Sequence, residues 1–126
     1  MKSKKFIRSG PQLPVKNMRQ TLDFYRDRLG FSDEWTWGEK DGGIRRDEMR
    51  LLFGEDADFT NAINSEQNRL PLLWFVDNIG EIYAEFKQRG IEVADALKDH
   101  PYGLREFAFT DINGYYIRVA EGIDET

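Results

Sequence analysis

Residues 15–31 read VKNMRQTLDFYRDRLGF, and residues 76–91 read VDNIGEIYAEFKQRGI. The second stretch repeats the first at a shift of 61 residues, so that Val15 matches Val76. The shift is close to half of the 126 residues, which indicates two copies of one supersecondary unit. Two copies predict two similar half-shells, and the place where half-shells meet is a natural site for a ligand.

Each copy is predicted to contain one helix with its own start and stop signals. In the first copy, Asn17 is a candidate N-cap, Gln20 takes the third position of a capping box, and Gly30 ends the helix. In the second copy, Asn78 and Gly90 are expected to take the same roles. The predicted helices run over residues 18–29 and 79–89.

Short strand candidates surround each predicted helix. In the first copy they cover residues 10–16, 31–37, 43–47 and 48–54, and in the second copy residues 70–76, 91–94, 104–110 and 115–120. Asp-Gly-Gly at residues 41–43 predicts a hairpin turn. The polar residues 55–69 show no clear period and are interpreted as a connector. The sequence thus predicts a single α+β domain over residues 1–126. It has a βαβββ module at about 6–54 and a second at about 70–121.

Composition narrows the possible partners. The net charge of −5 and the pI near 4.9 argue against nucleic-acid binding, which requires a basic face. The absence of cysteine excludes disulfides and thiolate metal sites. The longest apolar stretch, residues 70–76, is far too short to span a membrane. We therefore expect a soluble, cytoplasmic protein with no membrane partner.

Three stretches carry a resemblance to a known family. They are LPVKNMRQTLDFYRDRLGF near the start, LLWFVDNIGEIYAEFKQRGIEV in the middle and PYGLREFAFTDINGYYIRVAE at the end. With these motifs the chain resembles the vicinal oxygen chelate superfamily, which contains glyoxalase I, extradiol dioxygenases, fosfomycin resistance enzymes and bleomycin resistance proteins. The resemblance implies a glyoxalase-like fold, in which two βαβββ modules form curved half-sheets around a cleft.

Enzymes that this chain resembles hold a divalent metal in that cleft. Alignment by resemblance places the ligand positions on Gly10, Arg50, Pro71 and Arg118, and none of these residues can bind a metal. Slipping the alignment by one residue gives Pro11, Leu51, Leu72 and Val119, which are no better. The only histidine, His100, is interpreted as a solvated loop residue. The sequence therefore predicts no metal and no cofactor.

Aromatic residues are the first candidates for binding a ligand. Trp35 and Trp37 alternate with Thr36, so both indoles point to one side of a strand. Such a pair could stack on a planar or cationic ligand, and packing in the core or at a dimer interface explains it equally well. Tyr102 precedes a predicted strand and could cover the groove, although turn chemistry alone explains the Pro-Tyr-Gly segment.

Strand parity, taken from the metal alignment, predicts which other side chains face the cleft. These are Arg50, Leu52, Pro71, Leu73, Phe75, Tyr116 and Arg118, whereas Trp74 is expected in the core. An arginine in a cleft needs a partner. Arg50 and Arg118 could pair with Glu106 or Glu121, bind an anionic group of the ligand, or remain solvated.

We interpret the chain as a metal-independent protein of the bleomycin resistance type. It would sequester an antibiotic or aromatic metabolite, and none of its residues is predicted to be catalytic. The resemblance also implies a homodimer whose paired chains complete the groove, and a role in antibiotic resistance. Two alternatives remain open. One is a metal-dependent lyase, isomerase or dioxygenase that uses Gln12, His100, Glu106 or Glu121, and the other is a regulatory or interaction module.

Overall fold

The computed structural model describes residues 4–65 and 67–123, and within them it contains two βαβββ modules. The first consists of β1 (Gln12–Val15), α1 (Met18–Leu29), β2 (Ser32–Trp37), β3 (Asp41–Arg46) and β4 (Met49–Glu55). A helix α2 (Ala57–Ile63) follows. The second consists of β5 (Pro71–Phe75), α3 (Ile79–Gln88), β6 (Val93–Asp99), β7 (Leu104–Thr110) and β8 (Tyr116–Gly122). The predicted α+β architecture is confirmed.

The two modules form separate four-stranded sheets with the same internal order. The first sheet runs β1-β4-β3-β2 and the second runs β5-β8-β7-β6. In each, the first strand pairs in parallel with the last, and the other two pairings are antiparallel. The repeat seen in the sequence is therefore a repeat of topology.

The first predicted helix cap is confirmed, and in the second Asn78 takes the predicted N-cap position but its side chain does not cap the helix. The Asn17 side chain accepts a hydrogen bond from the Gln20 backbone N–H at 2.8 Å, and Gly30 ends α1 in the left-handed region at φ 76°. Asn78 also has a positive φ of 56°, but its side chain makes no capping bond. Glu121 replaces it, because its carboxylate accepts from the backbone N–H groups of Asn78 and Ile79 at 3.0 and 3.2 Å. A carboxylate suits the positive end of a helix.

The turn predicted at residues 41–43 is wrong, because β3 already begins at Asp41 and the turn covers residues 38–40. Gly42 and Gly43 serve close packing instead. A Cβ on Gly42 would lie 2.6 Å from Sδ of Met18, and one on Gly43 would lie 2.5 Å from Nε1 of Trp35. Both glycines therefore make room for side chains that cross the strand on opposite sides.

The predicted connector contains the helix α2, which the sequence pattern did not indicate. Asp56 caps it by accepting from the Phe59 backbone N–H at 3.0 Å. A helix of seven residues is too short to show a clear period. None of the helices in the described part of the chain is long and apolar enough to cross a membrane.

One core joins the two modules. The ring of Trp74 from β5 lies 6.3 Å from Tyr25 of α1 and 6.1 Å from Phe109 of β7, which places Trp74 in the core as predicted. The Tyr25 hydroxyl donates to the buried Asp111 carboxylate at 2.6 Å. The Tyr115 hydroxyl donates to the Pro14 carbonyl at 2.6 Å. These contacts fix the modules against each other through their helix-bearing sides.

Candidate functional site

Each sheet turns one face to the shared core and leaves the other exposed. On β4, Phe53 is 1% exposed whereas Leu52 is 39% exposed. On β8, Ile117 and Val119 are buried, whereas Arg118 lies on the opposite, partly exposed side. We call these surfaces the first face, with Trp35, Trp37, Arg50 and Leu52, and the second face, with Leu73, Phe75, Glu106, Tyr116 and Arg118. The parity predicted from the sequence agrees with these placements.

A groove of about 690 Å³ lies on the first face. Its lining residues are Arg8, Ser9, Gly10, Asp33, Trp35, Ile44, Arg45, Arg50, Leu51 and Leu52, all from the first module. The indole of Trp35 lies directly over Gly43, which has no side chain to hold it off the sheet. Trp37 is 74% exposed and does not line the groove. The predicted pair of tryptophans is therefore one indole within the groove and one beside it.

On the second face, the charges of Arg118 and Glu106 neutralise each other in an ion pair. Arg118 donates to both carboxylate oxygens of Glu106, with Nε–Oε2 at 2.8 Å and Nη2–Oε1 at 2.9 Å. The Tyr102 hydroxyl donates to the same carboxylate, and the Tyr102 ring stacks on His100 at 4.9 Å. Hydrogen bonding by Arg118, supported by Tyr102, lowers the pKa of Glu106 to about 2. Of the two carboxylates that the sequence offered as partners, Glu106 and Glu121, Arg118 pairs with Glu106.

The remaining second-face residues lie around this cluster without bonding to it. The Tyr116 hydroxyl donates to Asp95 at 3.1 Å, and the Arg69 guanidinium lies 5.8 Å from the Tyr116 ring. Phe75 is 62% exposed. No hydrogen bond, ion pair or ring contact between described residues joins the second face to the first. Within one chain, the predicted site residues thus form two groups.

Glu106 should make stability depend on pH in acid. Its folded pKa lies below the ordinary 4.5, so its contribution is complete above about pH 4.5 and disappears as the pH falls towards 2. Because Arg118 is one-third exposed, we expect this contribution to be about 2 kcal/mol rather than the full value of the shift. Urea unfolding of the wild type and Glu106→Gln between pH 2 and 7 measures it.

The two unfolding curves should differ by about 2 kcal/mol at pH 7 and converge near pH 2. Glu48→Gln is the matched control, because Glu48 is exposed and forms no hydrogen bond or ion pair with another described residue. A constant difference between wild type and Glu106→Gln across this range would contradict the assigned pKa.

The side chains that the enzymatic alternative would use as metal ligands are not grouped in one place. Gln12 donates to Asp41 on the first sheet at 2.8 Å, Glu106 pairs with Arg118, and Glu121 caps α3. Among residues 4–65 and 67–123, no three His, Cys, Asp or Glu side chains are grouped to hold a metal. The present donor set thus does not fit a divalent ion.

Strand register also separates Arg50 from Arg118. Gln12 pairs with Leu52, and Leu73 pairs with Arg118. At the repeat shift of 61 residues Gln12 corresponds to Leu73, so the equivalent of Arg118 is Leu52. The two arginines therefore occupy different positions in the two modules, and they need not share a role.

Sequence reasoning missed Arg8, Asp33 and Arg45 as groove residues. Arg45 lies opposite Arg50 in the β3–β4 ladder, and Asp33 accepts from Arg45 at 2.7 Å. A correct hairpin register would have revealed the Arg45–Arg50 neighbours. Asp33 lies in the β2 irregularity with φ 57°, and Arg8 lies outside any strand, so no period marks them.

Two βαβββ modules, each a sheet with one helix on its core side, define the glyoxalase-like class of folds. The family model described as the Glyoxalase/Bleomycin resistance protein/Dioxygenase superfamily matches residues 11–119. The chain therefore belongs to this superfamily, as the sequence motifs predicted. A search of curated proteins found no match.

Solved structures agree on the fold. The bleomycin-binding protein from bleomycin-producing Streptomyces verticillus, complexed with copper(II)-bleomycin, is 21% identical with a TM-score of 0.72, covering 98% of this chain and 100% of its own. A glyoxalase-related enzyme from Clostridium phytofermentans is 16% identical with a TM-score of 0.74, covering 98% and 100%. TioX from Micromonospora sp. ML1 is 15% identical with a TM-score of 0.71, covering 92% and 100%. At these identities the likeness establishes the fold alone.

Proposed function

We propose that this protein binds a small aromatic molecule and sequesters it without a metal and without chemical conversion. The observation that carries the proposal is the Trp35 indole, which lies across Gly43 and lines an open groove. An indole held in this way offers a flat surface to a planar ligand. The similarity of fold to a bleomycin-binding protein supports sequestration of an antibiotic as the biological form of this activity.

The cleft in this proposal is completed by a second copy of the chain. The first and second faces each expose large apolar side chains, among them Trp35, Leu52, Leu73 and Phe75. In one chain the modules pack through their shared core, and the contacts that join them lie on the helix-bearing sides. A homodimer would place the first face of one copy against the second face of its partner and would form two equivalent clefts.

Trp35→Ala should weaken binding of a planar aromatic ligand by about 30-fold, because a stacked indole is a typical hot spot worth about 2 kcal/mol. Isothermal titration calorimetry with a panel of glycopeptide and planar aromatic compounds first identifies a compound that binds the wild type. The same titration then compares the affinities of the variants for that compound. Phe59→Ala is the matched control, because Phe59 is an exposed aromatic on α2, outside the groove.

Equal affinity of Trp35→Ala and wild type would contradict the assigned groove. Elemental analysis of protein purified without chelators tests the other part of the proposal. A stoichiometric divalent metal in that sample would favour the enzymatic alternative over sequestration.

A further inference from the structure

Positive charge exceeds negative charge in the first-face groove. Its lining contains Arg8, Arg45 and Arg50 but only one carboxylate, Asp33. Arg45 uses that carboxylate, with Nε–Oδ2 at 2.7 Å. Neither the Arg8 side chain nor the Arg50 side chain forms a hydrogen bond or an ion pair with any other described residue. The groove therefore concentrates uncompensated cations on a chain whose net charge is −5.

The second face differs in charge. Arg118, its central arginine, is held by both oxygens of Glu106, which is only 5% exposed. A ligand anion at Arg118 would have to compete with a carboxylate already fixed at 2.8 Å. Among the described residues, no carboxylate is paired with the Arg50 side chain. An anionic group is therefore directed to the first face rather than the second.

The cations and the indole lie within the reach of one small molecule. In the ladder, Trp35 pairs with Gly43, and Gly43 pairs with Leu52. Arg45 and Arg50 lie opposite each other on the same face. They are two residues along β3 and β4 from Gly43 and Leu52, a distance of about 7 Å. A ring that stacks on Trp35 can thus present a substituent directly to the Arg50 guanidinium, whose planar fork suits a carboxylate or phosphate.

We infer that the ligand of the first-face groove is a planar aromatic molecule that carries an anionic substituent, with Trp35 contacting the ring and Arg50 the anion. This inference rests on the proposed function, since it assigns the chemical class of the ligand for the same groove. Arg8 and Arg45 add long-range attraction to the anion. A cationic aromatic, by contrast, would be repelled from this face.

Three probes with one ring system test the inference. They are 2-naphthoate, the neutral 2-naphthylmethanol and the cationic 2-naphthylmethylammonium, each titrated by calorimetry and by the NMR shift of the Trp35 indole N–H. We expect 2-naphthoate to bind about tenfold more tightly than the alcohol, and the ammonium probe to bind most weakly. A fourth probe, 2-naphthyl phosphate, separates the two anion types, because tighter binding than 2-naphthoate indicates a phosphate ester and equal binding indicates a carboxylate.

Arg50→Gln should remove the advantage of 2-naphthoate, a loss of about tenfold, and leave the affinity for 2-naphthylmethanol unchanged. Arg105→Gln is the control with the same loss of charge, because Arg105 is exposed and pairs with Asp99 away from the groove. It should leave all affinities unchanged.

The outcomes distinguish the inference from the proposed function. If the alcohol binds as tightly as 2-naphthoate and shifts the Trp35 signal, the inference fails and the proposed function stands. The same holds if Arg50→Gln weakens the alcohol and 2-naphthoate equally. If none of the probes shifts the Trp35 indole signal, both the groove assignment and the inference fail.

Discussion

Asp111→Ala is expected to lower the free energy of unfolding by about 2 to 4 kcal/mol, because it leaves several buried donors without an acceptor. The carboxylate accepts from the Tyr25 hydroxyl at 2.6 Å and from the backbone N–H groups of Asn113 and Tyr115 at 2.9 Å. Tyr25 is fully buried and belongs to the other module. The substitution therefore disrupts both the turn before β8 and the junction between modules.

Urea unfolding followed by circular dichroism and tryptophan fluorescence measures this loss. Tyr25→Phe should cost less, about 1 to 2 kcal/mol, because the carboxylate keeps its two backbone donors. Glu39→Ala, at an exposed carboxylate in the turn before β3, is the control and should change stability by less than about 0.5 kcal/mol. If Asp111→Ala stays within about 0.5 kcal/mol of the wild type, this cross-module bond does not stabilise the fold.

Local signals made part of this architecture predictable. The Asn17 cap, the Gly30 stop and the inward position of Trp74 each depend on residues within one element and its period. Glycine was misleading at residues 42 and 43, because the same residue type serves a tight turn and a close approach of side chains. The sequence alone cannot separate these uses, since the atoms that approach belong to Met18 and Trp35.

Prediction from the sequence was also limited where a residue interacts with one that is distant in the chain. Glu121 caps a helix that begins more than forty residues earlier, and no local pattern links it to Ile79. The choice of Glu106 over Glu121 as the partner of Arg118 depends on the β7–β8 register and on face parity together. Similarly, the repeat suggested that equivalent residues share roles, whereas the strand pairing shows that Arg50 and Arg118 are not equivalent.

The two faces also differ in a way that bears on how a cleft forms. The first has a groove with an indole and with two arginines, Arg8 and Arg50, whose side chains pair with no other described residue. The second has exposed Phe75 and Leu73 beside the Arg118–Glu106 ion pair. Opposed across a dimer, they would give a ligand one cationic wall and one neutral wall. Such a cleft orients a ligand with a single anionic group, because only one wall attracts that group.

Mixing two defective variants should restore ligand binding if the cleft forms between copies. Trp35→Ala damages the first face and Phe75→Ala the second, and each exposed side chain can be removed without opening the core. Each variant alone should bind an aromatic ligand about tenfold or more weakly, because every cleft then lacks one wall contact. In a heterodimer, one cleft combines both defects and the other combines two intact faces.

Random pairing after unfolding and refolding a one-to-one mixture should therefore restore full affinity in about one quarter of all clefts. Calorimetry reads this fraction as a high-affinity stoichiometry, and analytical ultracentrifugation confirms the dimer in the same sample. A mixture of each variant with itself, treated identically, should show no high-affinity sites. If the two-variant mixture also shows none while dimers are present, the two faces do not act together across the dimer. The proposed cleft between copies would then be wrong, because in that arrangement every heterodimer contains one cleft with an intact first face opposite an intact second face.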